Sequence, residues 1–525
     1  MDQTPSRQGK VLYDWAGEGC ESSLKFLHSA QLGPQPFDVT IVGAGVVGCA
    51  LAYRLSRFQL RVLLIDKNFD VGEGSSKGNS AIVHSGFDAT PGSLESRLVT
   101  QASRQWPALA AKLKIPYDSC GAVLLAVDDE QMAQLPHIQK KALANGVDDV
   151  RLLGPREVPE LEPHAPSYIR SGLVVPRESI ADPFRASIAF AEVALANGVD
   201  LLLGASIVAI ENRSAAVKTI VTSSKKQLRT RILVNAAGLG SRALADAYGG
   251  GPFDINPRRG QFLIFDKFSR SLVKGILLPV PTPQTKGVLV IPSIFGNLIA
   301  GPTAEDLPLD APDATCTTGD GLQAVLDGAA RLFPALEGQP IVGTYAGARC
   351  NCAQGSYLIR YNDRHPGILT VSGIRSTGFT SSPALAEYLI QGLVDNCELK
   401  LEEAPGAVDS RPEWPGWWRR PSEDSDLVKQ RPDYGRFTCT CENVSRGEVI
   451  DALDSPLKPR TLDAVKRRTR ALMGRCQGSG CLVPVAEIIS SHCGIPLESV
   501  TKCGPGSELM NMSAYSYGPA EHQRI

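Results

Sequence analysis

The stretch FDVTIVGAGVVGCALAYRLSRFQLRVLLID, residues 37–66, decides the fold of this chain. It opens with a short β-branched run, passes through glycines, continues with apolar residues at helical spacing and closes with a second apolar run. This order predicts a strand, a glycine turn, a helix and a second strand. Similar elements alternate to about residue 400, which is typical of an α/β architecture.

Three glycines in that stretch form a dinucleotide-binding fingerprint. Gly43, Gly45 and Gly48 complete G-x-G-x-x-G between the strand and the helix. They permit a tight turn, approach of the backbone to a pyrophosphate and close helix–strand contact, and the helix N-terminus offers N–H groups to phosphates. Asp66 ends the second strand, where it can accept hydrogen bonds from ribose hydroxyls. The fingerprint predicts a dinucleotide but does not distinguish FAD from NAD.

Length and charge exclude several classes of protein. A chain of 525 residues exceeds one hydrophobic core, which predicts two or three domains. The formal net charge of -1 gives no reason to expect a nucleic-acid partner. The N-terminus lacks the apolar core of a signal peptide, and no run approaches the ~20 apolar residues of a transmembrane segment. We expect a cytoplasmic protein with reduced thiols, and peripheral attachment to the inner face of the membrane stays open.

Further segments extend the pattern along the chain. They are EGSSKGNSAIVHSGFD (73–88), LVNAAGLGS (233–241), PRRGQF (257–262), GVLVIPSIFGNLIAGPTAED (287–306), YAGAR (345–349) and GIRSTGFTSSPALAEYL (373–389). This series resembles the D-amino-acid-oxidase superfamily of flavoproteins, and more closely its FAD-dependent glycerol-3-phosphate and L-2-hydroxyglutarate dehydrogenase group. The resemblance covers roughly residues 37–395. It implies a Rossmann-type FAD-binding domain interleaved with an antiparallel-sheet substrate domain.

The resemblance also implies which residues contact the cofactor and the substrate. Further FAD contacts are expected from the loop after Asp66 and from the turn that closes over the isoalloxazine, namely Ser75, Ser76, Asn79, Ser80, Gly373, Gly378, Phe379 and Thr380. His84 matches a histidine near the flavin in related dehydrogenases, and imidazole can take a hydroxyl proton near neutral pH. The alternatives for His84 are a hydrogen bond beneath the flavin and covalent attachment to it.

Three arginines are candidate ligands of a substrate anion, because a guanidinium binds carboxylate or phosphate bidentately. Arg349 matches an anion-binding arginine of the related dehydrogenases, although Cys350 stands where that pattern usually has proline. Arg375 lies in the closing turn and Arg259 in a strand-like segment. Surface or structural pairing is the alternative for each.

The sequence divides into five parts. We predict an N-terminal extension (1–36), the oxidoreductase (37–400), a linker or strap (401–436), a compact cysteine-bearing module (437–509) and a tail (510–525). The strap is rich in proline and charge. Its WPGWW cluster (414–418) would be costly to expose, which favours docking on protein over membrane anchoring.

Four cysteines of the C-terminal module predict a metal centre. Cys439, Cys441, Cys476 and Cys481 form C-x-C followed by C-x4-C. Such thiolates can converge on a soft metal, whereas zinc usually prefers C-x2-C pairs. Between the pairs, SRGEVIDALDS and RTLDAVKRRTRALMGRC each predict a short helix that opens from Ser or Thr. The module closely resembles the bacterioferritin-associated-ferredoxin-like 2Fe–2S domain fused to anaerobic-type glycerol-3-phosphate dehydrogenases. That resemblance implies a 2Fe–2S cluster, with zinc and unmetallated thiols as alternatives.

Together the two resemblances imply a dehydrogenase of a small anionic secondary alcohol. Glycerol 3-phosphate is the first expected substrate, and L-2-hydroxyglutarate or a related 2-hydroxy acid is the next. Because a flavin takes two electrons and the cluster carries one at a time, we expect electrons to leave through the cluster to a partner flavoprotein, a quinone or another carrier. The alternatives are an amino-acid or imino-acid dehydrogenase of the same superfamily and an electron-transfer subunit without its own turnover.

Overall fold

The computed structural model describes residues 8–14, 32–282, 286–308, 310–311, 315–352, 357–411 and 420–509. Most of the predicted N-terminal extension, the WPGWW cluster and the tail therefore lie outside the described residues. The strands, in chain order, are β1 (Val11–Tyr13), β2 (Phe37–Val42), β3 (Val62–Ile65), β4 (Ile82–Val83), β5 (Tyr117–Asp118), β6 (Ala122–Ala126), β7 (Arg151–Leu153), β8 (Ser171–Val175), β9 (Ser179–Ala181), β10 (Asp200–Leu203), β11 (Ile207–Glu211), β12 (Lys218–Thr222), β13 (Gln227–Asn235), β14 (Ile255–Phe265), β15 (Ile276–Pro279), β16 (Leu289–Pro292), β17 (Leu298–Gly301), β18 (Glu305–Asp306), β19 (Ile341–Cys352), β20 (Leu358–Tyr361), β21 (Ile368–Ser372), β22 (Phe437–Cys439) and β23 (Val444–Ser445). The α-helices are Val46–Leu55, Leu94–Leu113, Asp129–Ala144, Val158–Leu161, Pro183–Ala196, Ser241–Tyr248, Gly319–Leu332, Gly378–Cys397, Ser425–Gln430, Arg446–Asp454, Leu462–Thr469 and Leu482–Cys493.

The first large sheet is built around the glycine-rich unit. Its strands run β1–β10–β3–β2–β13 in parallel, and the far edge of β13 pairs with both β12 and β21. The predicted strand, turn, helix and strand are confirmed as β2, the helix Val46–Leu55 and β3. This helix packs against the helices Pro183–Ala196 and Gly378–Cys397. The glycine turn thus lies at the carboxyl end of the parallel strands, where open α/β sheets bind ligands.

The N-terminal extension contributes a strand that the sequence did not predict. β1 pairs in parallel with β10 at the edge of the first sheet, and the side chains of Leu12 and Tyr13 are buried there. A segment of three residues is too short to show a periodic pattern, so its role emerges only from the pairing.

The second large sheet carries the predicted substrate domain. Its strands run β18–β14–β17–β16–β15–β6–β8–β7, and β19 pairs along β14. The pairings are antiparallel except for β15 with β6. The chain passes from the first sheet to the second and back, so the two domains are interleaved, as predicted. A small sheet, β4–β9–β5, follows the glycine-rich loop.

The C-terminal module is a small helical unit with its own core. The helix Arg446–Asp454 begins after Ser445, which forms a capping box with Glu448, and the helix Leu462–Thr469 begins after Thr461. Both helices were predicted from these capping residues, and both are confirmed. Together with the helix Leu482–Cys493 they bury apolar residues such as Val449 and Ile489.

Residues 401–411 of the strap lie against the first domain, whereas Arg420 and Arg431 pair with Glu448 and Asp451 of the C-terminal module. The backbone N–H of Ala404 donates to the carbonyl of Arg57, Asp409 pairs with Lys112, and the side chain of Asn197 donates to the carbonyl of Val408. The domain boundaries at residues 36, 400, 436 and 509 stay predictions. None of the helices in the described part of the chain is long and apolar enough to cross a membrane.

Candidate active site

Two of the fingerprint glycines are required by close packing. At Gly43 the backbone has a φ of 109°, and an added Cβ would lie 2.3 Å from the carbonyl oxygen of Ala236. At Gly48 an added Cβ would lie 1.9 Å from the carbonyl oxygen of Gly43. Any side chain at either position would push the helix away from the sheet, so both glycines are needed to bring the turn close to the strands.

The helix N-terminus beside this turn fits a pyrophosphate. Gly45 precedes the first helical residue and provides no side-chain cap, and no acid stands in the first turn of the helix. The Ser76 hydroxyl accepts a hydrogen bond from the N–H of Val46 at 2.9 Å. A phosphate oxygen could accept from the same N-terminal groups, and the helix dipole favours a negative charge there.

Asp66 lies beneath the turn, where the fingerprint places a ribose ligand. Its carboxylate accepts hydrogen bonds from the N–H of Ala44 at 2.7 Å and from the N–H of Asn68 at 2.8 Å. Burial raises the pKa of Asp66. Each carboxylate oxygen retains acceptor capacity, so these residues fit the dinucleotide half of FAD.

The loop after Asp66 is held in place by its own polar side chains. Ser75 donates to the carbonyl of Ala348 at 2.5 Å, and Asn79 donates to the carbonyl of Ser76 at 2.7 Å. Asn79 also accepts from the N–H of Ala81, which has a left-handed φ of 62°. A non-glycine residue in this region is strained, and such strain often marks a functional site.

The closing turn reaches the same region from the other end of the domain. Gly373 has a left-handed φ of 63°, and the helix begins at Gly378. The ring of Phe379 lies 4.9 Å from that of Trp106, and the Thr380 hydroxyl accepts the backbone N–H of His84 at 2.9 Å. This last bond joins the two segments that were predicted to flank the isoalloxazine.

A cavity of about 480 Å³ opens between these two segments and the second sheet. Ser80 and His84 lie on its wall, together with charged residues from both domains that include Glu95, Arg258, Lys286, Arg349 and Arg375. The structure therefore brings the three predicted catalytic residues, which are far apart in sequence, to one site.

Arg349 is the residue best placed to hold an anion in this cavity. Its side chain is largely buried, and its Nη2 donates to the carbonyl of Thr303 at 3.2 Å. Among the described residues its Nε has no hydrogen-bond partner. Burial, and next the neighbouring charge of Arg258, lower the pKa of Arg349 to about 10, so the side chain is charged at neutral pH. A buried, incompletely paired guanidinium is costly, and a bound anion would offset that cost.

The strand β19 places Arg349 directly opposite Arg258 on β14. Two like charges across a strand pair repel, and Asp306 offsets this by binding Arg258 through two hydrogen bonds of 2.5 and 2.6 Å. The replacement of proline by Cys350 does not interrupt the strand, since β19 runs from Ile341 through Cys352.

Arg375 lies on the cavity wall in an ion pair with Glu95 at 2.7 Å. Burial acts to raise the pKa of Glu95, but the hydrogen bonds from Arg375 and Thr377 lower it below its usual value. Arg375 is therefore oriented by the protein and still reaches the cavity.

Arg259 is different, because it donates to Glu305 and to the carbonyl of Cys316. This geometry agrees with the structural alternative for Arg259.

Sequence reasoning missed the carboxylate that contacts the ring of His84. Nδ1 of His84 lies 3.0 Å from Oε2 of Glu178, a carboxylate that is fully buried. No motif marked Glu178, because it follows an ordinary apolar strand. The polar residue Asp88 was also missed, and it pairs with Lys141 and Lys286 at the cavity wall.

The four predicted cysteines line one pocket of about 370 Å³ in the C-terminal module. The thiol of Cys481 hydrogen-bonds Cys439 and thereby lowers the pKa of Cys439 to about 6, and Cys441 hydrogen-bonds Cys476. In the described part of the chain, no group of three or more His, Cys, Asp or Glu side chains is arranged to hold one metal ion. Two thiol pairs fit a 2Fe–2S cluster better than a single metal ion, because the four cysteines of such a cluster are shared between two irons.

A buried ion network holds this module against the first domain. Arg468 donates to both oxygens of Asp70 at 2.7 and 2.8 Å, and Arg467 donates to Asp70 and Glu73 at 2.7 and 2.6 Å. Burial acts to raise the pKa of Asp70, but the two arginines lower it well below its usual range. Because Ser75 follows Glu73 closely in sequence, the network also anchors the loop of the predicted FAD site.

Replacing Arg468 by methionine is expected to lower the free energy of unfolding by roughly 3 kcal/mol, since it leaves a buried carboxylate incompletely paired. The control is Lys429→Met, because Lys429 and Asp426 form an ion pair of which each side chain is about three-quarters exposed, worth roughly 0–1 kcal/mol. Urea unfolding of each full-length variant measures the difference, and equal losses would contradict the buried role.

The contribution of the same network to stability is expected to decrease as the pH falls. Because the pKa of Asp70 is lowered in the folded protein, its contribution is present above the ordinary aspartate pKa of about 3.9. It is lost as the pH falls further, through the folded-state value. The free energy of unfolding, measured from neutral to acidic pH, should therefore fall less in Arg468→Met than in the wild type.

Comparison with known proteins matches both parts of the chain. The family described as FAD dependent oxidoreductase matches residues 38–391, and the BFD-like [2Fe-2S] binding domain matches residues 438–491. A glycerol 3-phosphate dehydrogenase of Caloramator mitchellensis is 35% identical over 90% of this chain and 98% of its own length. A mitochondrial L-2-hydroxyglutarate dehydrogenase of Nematostella vectensis is 29% identical over 51% of this chain and 62% of its own length.

A solved structure supports the same assignment. The dithionite-reduced L-alpha-glycerophosphate oxidase from Mycoplasma pneumoniae, with FAD bound, superposes with a TM-score of 0.68. It is 26% identical and covers 72% of this chain and 100% of its own.

Proposed function

Because the chain belongs to the FAD dependent oxidoreductase family, with FAD and a 2Fe–2S cluster as its cofactors, we propose that it oxidises glycerol 3-phosphate at its secondary hydroxyl and passes the electrons to a separate acceptor. The observation that carries this proposal is the convergence of Arg349, Arg375 and His84 on one cavity, with the buried Nε of Arg349 unpaired among the described residues. The similarity to the dehydrogenase from Caloramator mitchellensis supports the same substrate.

The residues divide the chemistry between them. Arg349 binds the phosphate, and Arg375, held by Glu95, limits where that anion can lie. His84 accepts the hydroxyl proton while the carbinol C–H bond breaks, so that a ketone forms. FAD, when bound, supplies the acceptor for the hydride. Apolar residues of the cavity wall, including Phe87 and Leu278, exclude water from the reacting carbon.

The cysteine pocket supplies the exit for the electrons. It is lined, within the described chain, by residues of the C-terminal segment between Arg436 and Ile488, and Phe437 beside it is about half exposed. A 2Fe–2S cluster carries one electron at a time. We therefore propose that a one-electron carrier, a partner flavoprotein or a quinone receives electrons at this surface, and that the enzyme acts as a dehydrogenase.

L-2-hydroxyglutarate is the second candidate substrate. The relatives of that name match about half of the chain, and the cavity offers cations at two places. Lys286 and Lys141 flank Asp88, apart from Arg349, so a second carboxylate could also find a cation. The two compounds share an anionic group beside a secondary alcohol, and only measurement separates them.

The deciding experiment adds each compound to the anaerobically purified protein and records its visible spectrum. We expect glycerol 3-phosphate to bleach the flavin band and to produce the electron paramagnetic resonance signal of a reduced 2Fe–2S cluster. In Cys441→Ser we expect the bleaching without that signal. If only L-2-hydroxyglutarate bleached the flavin, it would be the substrate in place of glycerol 3-phosphate. If only dithionite reduced the flavin, both proposed substrates would be wrong.

A further inference from the structure

The pairing of two short strands places Glu178 opposite His84. β4 and β9 are antiparallel, with Val83 opposite Ser179. His84 follows β4 and Glu178 precedes β9, so the two side chains meet at the same end of the pair. Because the residues are neighbours across strands, their contact is set by the backbone register and not by a flexible loop.

The Glu178 carboxylate is surrounded by donors. It is fully buried, and its Oε1 accepts from the N–H and the hydroxyl of Ser85 at 2.6 and 2.8 Å. Its Oε2 faces Nδ1 of His84 at 3.0 Å. A buried carboxylate with such neighbours acts as an acceptor, so Nδ1 of His84 is the protonated nitrogen.

We infer that Glu178 is a positioning residue that holds His84 in the Nδ1–H form and balances the charge that His84 gains on taking the substrate proton. With Nδ1 bonded to Glu178, Nε2 on the other edge of the ring is the basic nitrogen. The hydroxyl proton passes to Nε2 while the C–H bond breaks and the C=O bond forms, and FAD, when bound, would take up the hydrogen of that C–H bond together with its electron pair. This inference rests on the proposed function for the identity of the alcohol and for the role of His84 as the base.

The test compares Glu178→Gln with a matched control. Glutamine keeps the size of the side chain, but its amide can donate to Nδ1 and so favour the opposite form of the imidazole. Glu162→Gln is the control, because Glu162 is also buried, accepts from the backbone of Lys274 and Gly275 and does not line the cavity. Both variants lose one buried carboxylate, but only the first touches His84.

The first readout is independent of turnover. The oxidised full-length protein, which has seven histidines, is labelled with 15N-histidine for nuclear magnetic resonance. The signal that is present in the wild type and absent from His84→Asn is that of His84. We expect the wild type and Glu162→Gln to show a proton on Nδ1 and Glu178→Gln to show it on Nε2 or exchanging. An unchanged His84 signal in Glu178→Gln would overturn the inference. If Glu178→Gln does not fold, Glu178→Asp takes its place. Because aspartate keeps the negative charge, loss of the Nδ1–H form in Glu178→Asp would overturn the inference.

The second readout is the rate of flavin reduction by the alcohol that reduces the wild type. We expect Glu178→Gln to lower kcat by roughly 10²-fold with little change in KM, since the anion-binding arginines are untouched. Glu178→Asp should recover part of the rate, and Glu162→Gln should match the wild type. A merely structural role would lower the amount of folded protein but not the rate per bound FAD. If no alcohol reduces the flavin, the proposed substrate class is wrong, and the imidazole signal still decides the role of Glu178.

Discussion

Replacing His84 by asparagine is expected to slow the reduction of FAD by glycerol 3-phosphate by roughly 10²- to 10⁴-fold, which is the usual contribution of a positioned general base. Asparagine can hydrogen-bond the substrate but does not take up a proton at neutral pH. Because Arg349 and Arg375 remain in place, the Kd of the substrate should change little. Anaerobic stopped-flow mixing over a range of substrate concentrations measures the rate and the Kd together.

The control for this variant is His137→Asn. His137 is exposed on the helix Asp129–Ala144 and does not line the cavity, so its replacement should leave both quantities unchanged. A normal rate in His84→Asn would contradict the role of His84 as base. It would leave the hydrogen bond of its backbone to Thr380 as the role of this position.

Replacing Arg349 by methionine is expected to lower kcat/KM by roughly 10²-fold, mainly through a higher KM. A hydrogen bond to a charged partner contributes about 1.5–3 kcal/mol, and a tenfold change corresponds to about 1.4 kcal/mol. Methionine fills a similar volume without donors, so packing beside Thr303 is conserved while the anion loses its partner. Steady-state kinetics with an artificial acceptor measures the change.

Two further variants sharpen this result. Arg349→Lys keeps the charge but loses the planar donor pair, so its kcat/KM should lie between those of the wild type and Arg349→Met. Arg170→Met removes an arginine whose side chain is largely exposed and should have no effect. If Arg349→Met left KM unchanged, the anion would bind elsewhere, and the pair of Lys141 and Lys286 would be the next position to replace.

Local patterns in the sequence predicted the parts of the protein that form within a short stretch of chain. The strand, turn and helix around Gly43 follow from apolar periodicity and from the steric freedom of glycine. The two helices that begin after Ser445 and Thr461 follow from their capping residues. The spacing of Cys439 and Cys441 similarly predicted a metal-binding loop. In the turn and at the two helix starts the residues that interact are neighbours in sequence, whereas Cys439 and Cys441 pair with the distant Cys481 and Cys476.

Resemblance to a family, and not periodicity, predicted the candidate site. His84, Arg349 and Arg375 were named because their segments occur in an ordered series, and the structure places all three on one cavity. Their roles in binding and proton transfer stay predictions until the variants are measured. The same resemblance did not indicate Glu178, because an acid after a short strand has no distinctive local signal.

By itself, then, the sequence determined the glycine turn and the helix starts, because the forces that set them act within a few residues. Only the tertiary structure decided that Glu178 meets His84, that the Nε of Arg349 is buried without a partner among the described residues, and that Arg468 reaches Asp70. These contacts join residues up to 398 positions apart. They depend on strand register and domain docking, which are set by the burial of whole faces and not by any local pattern.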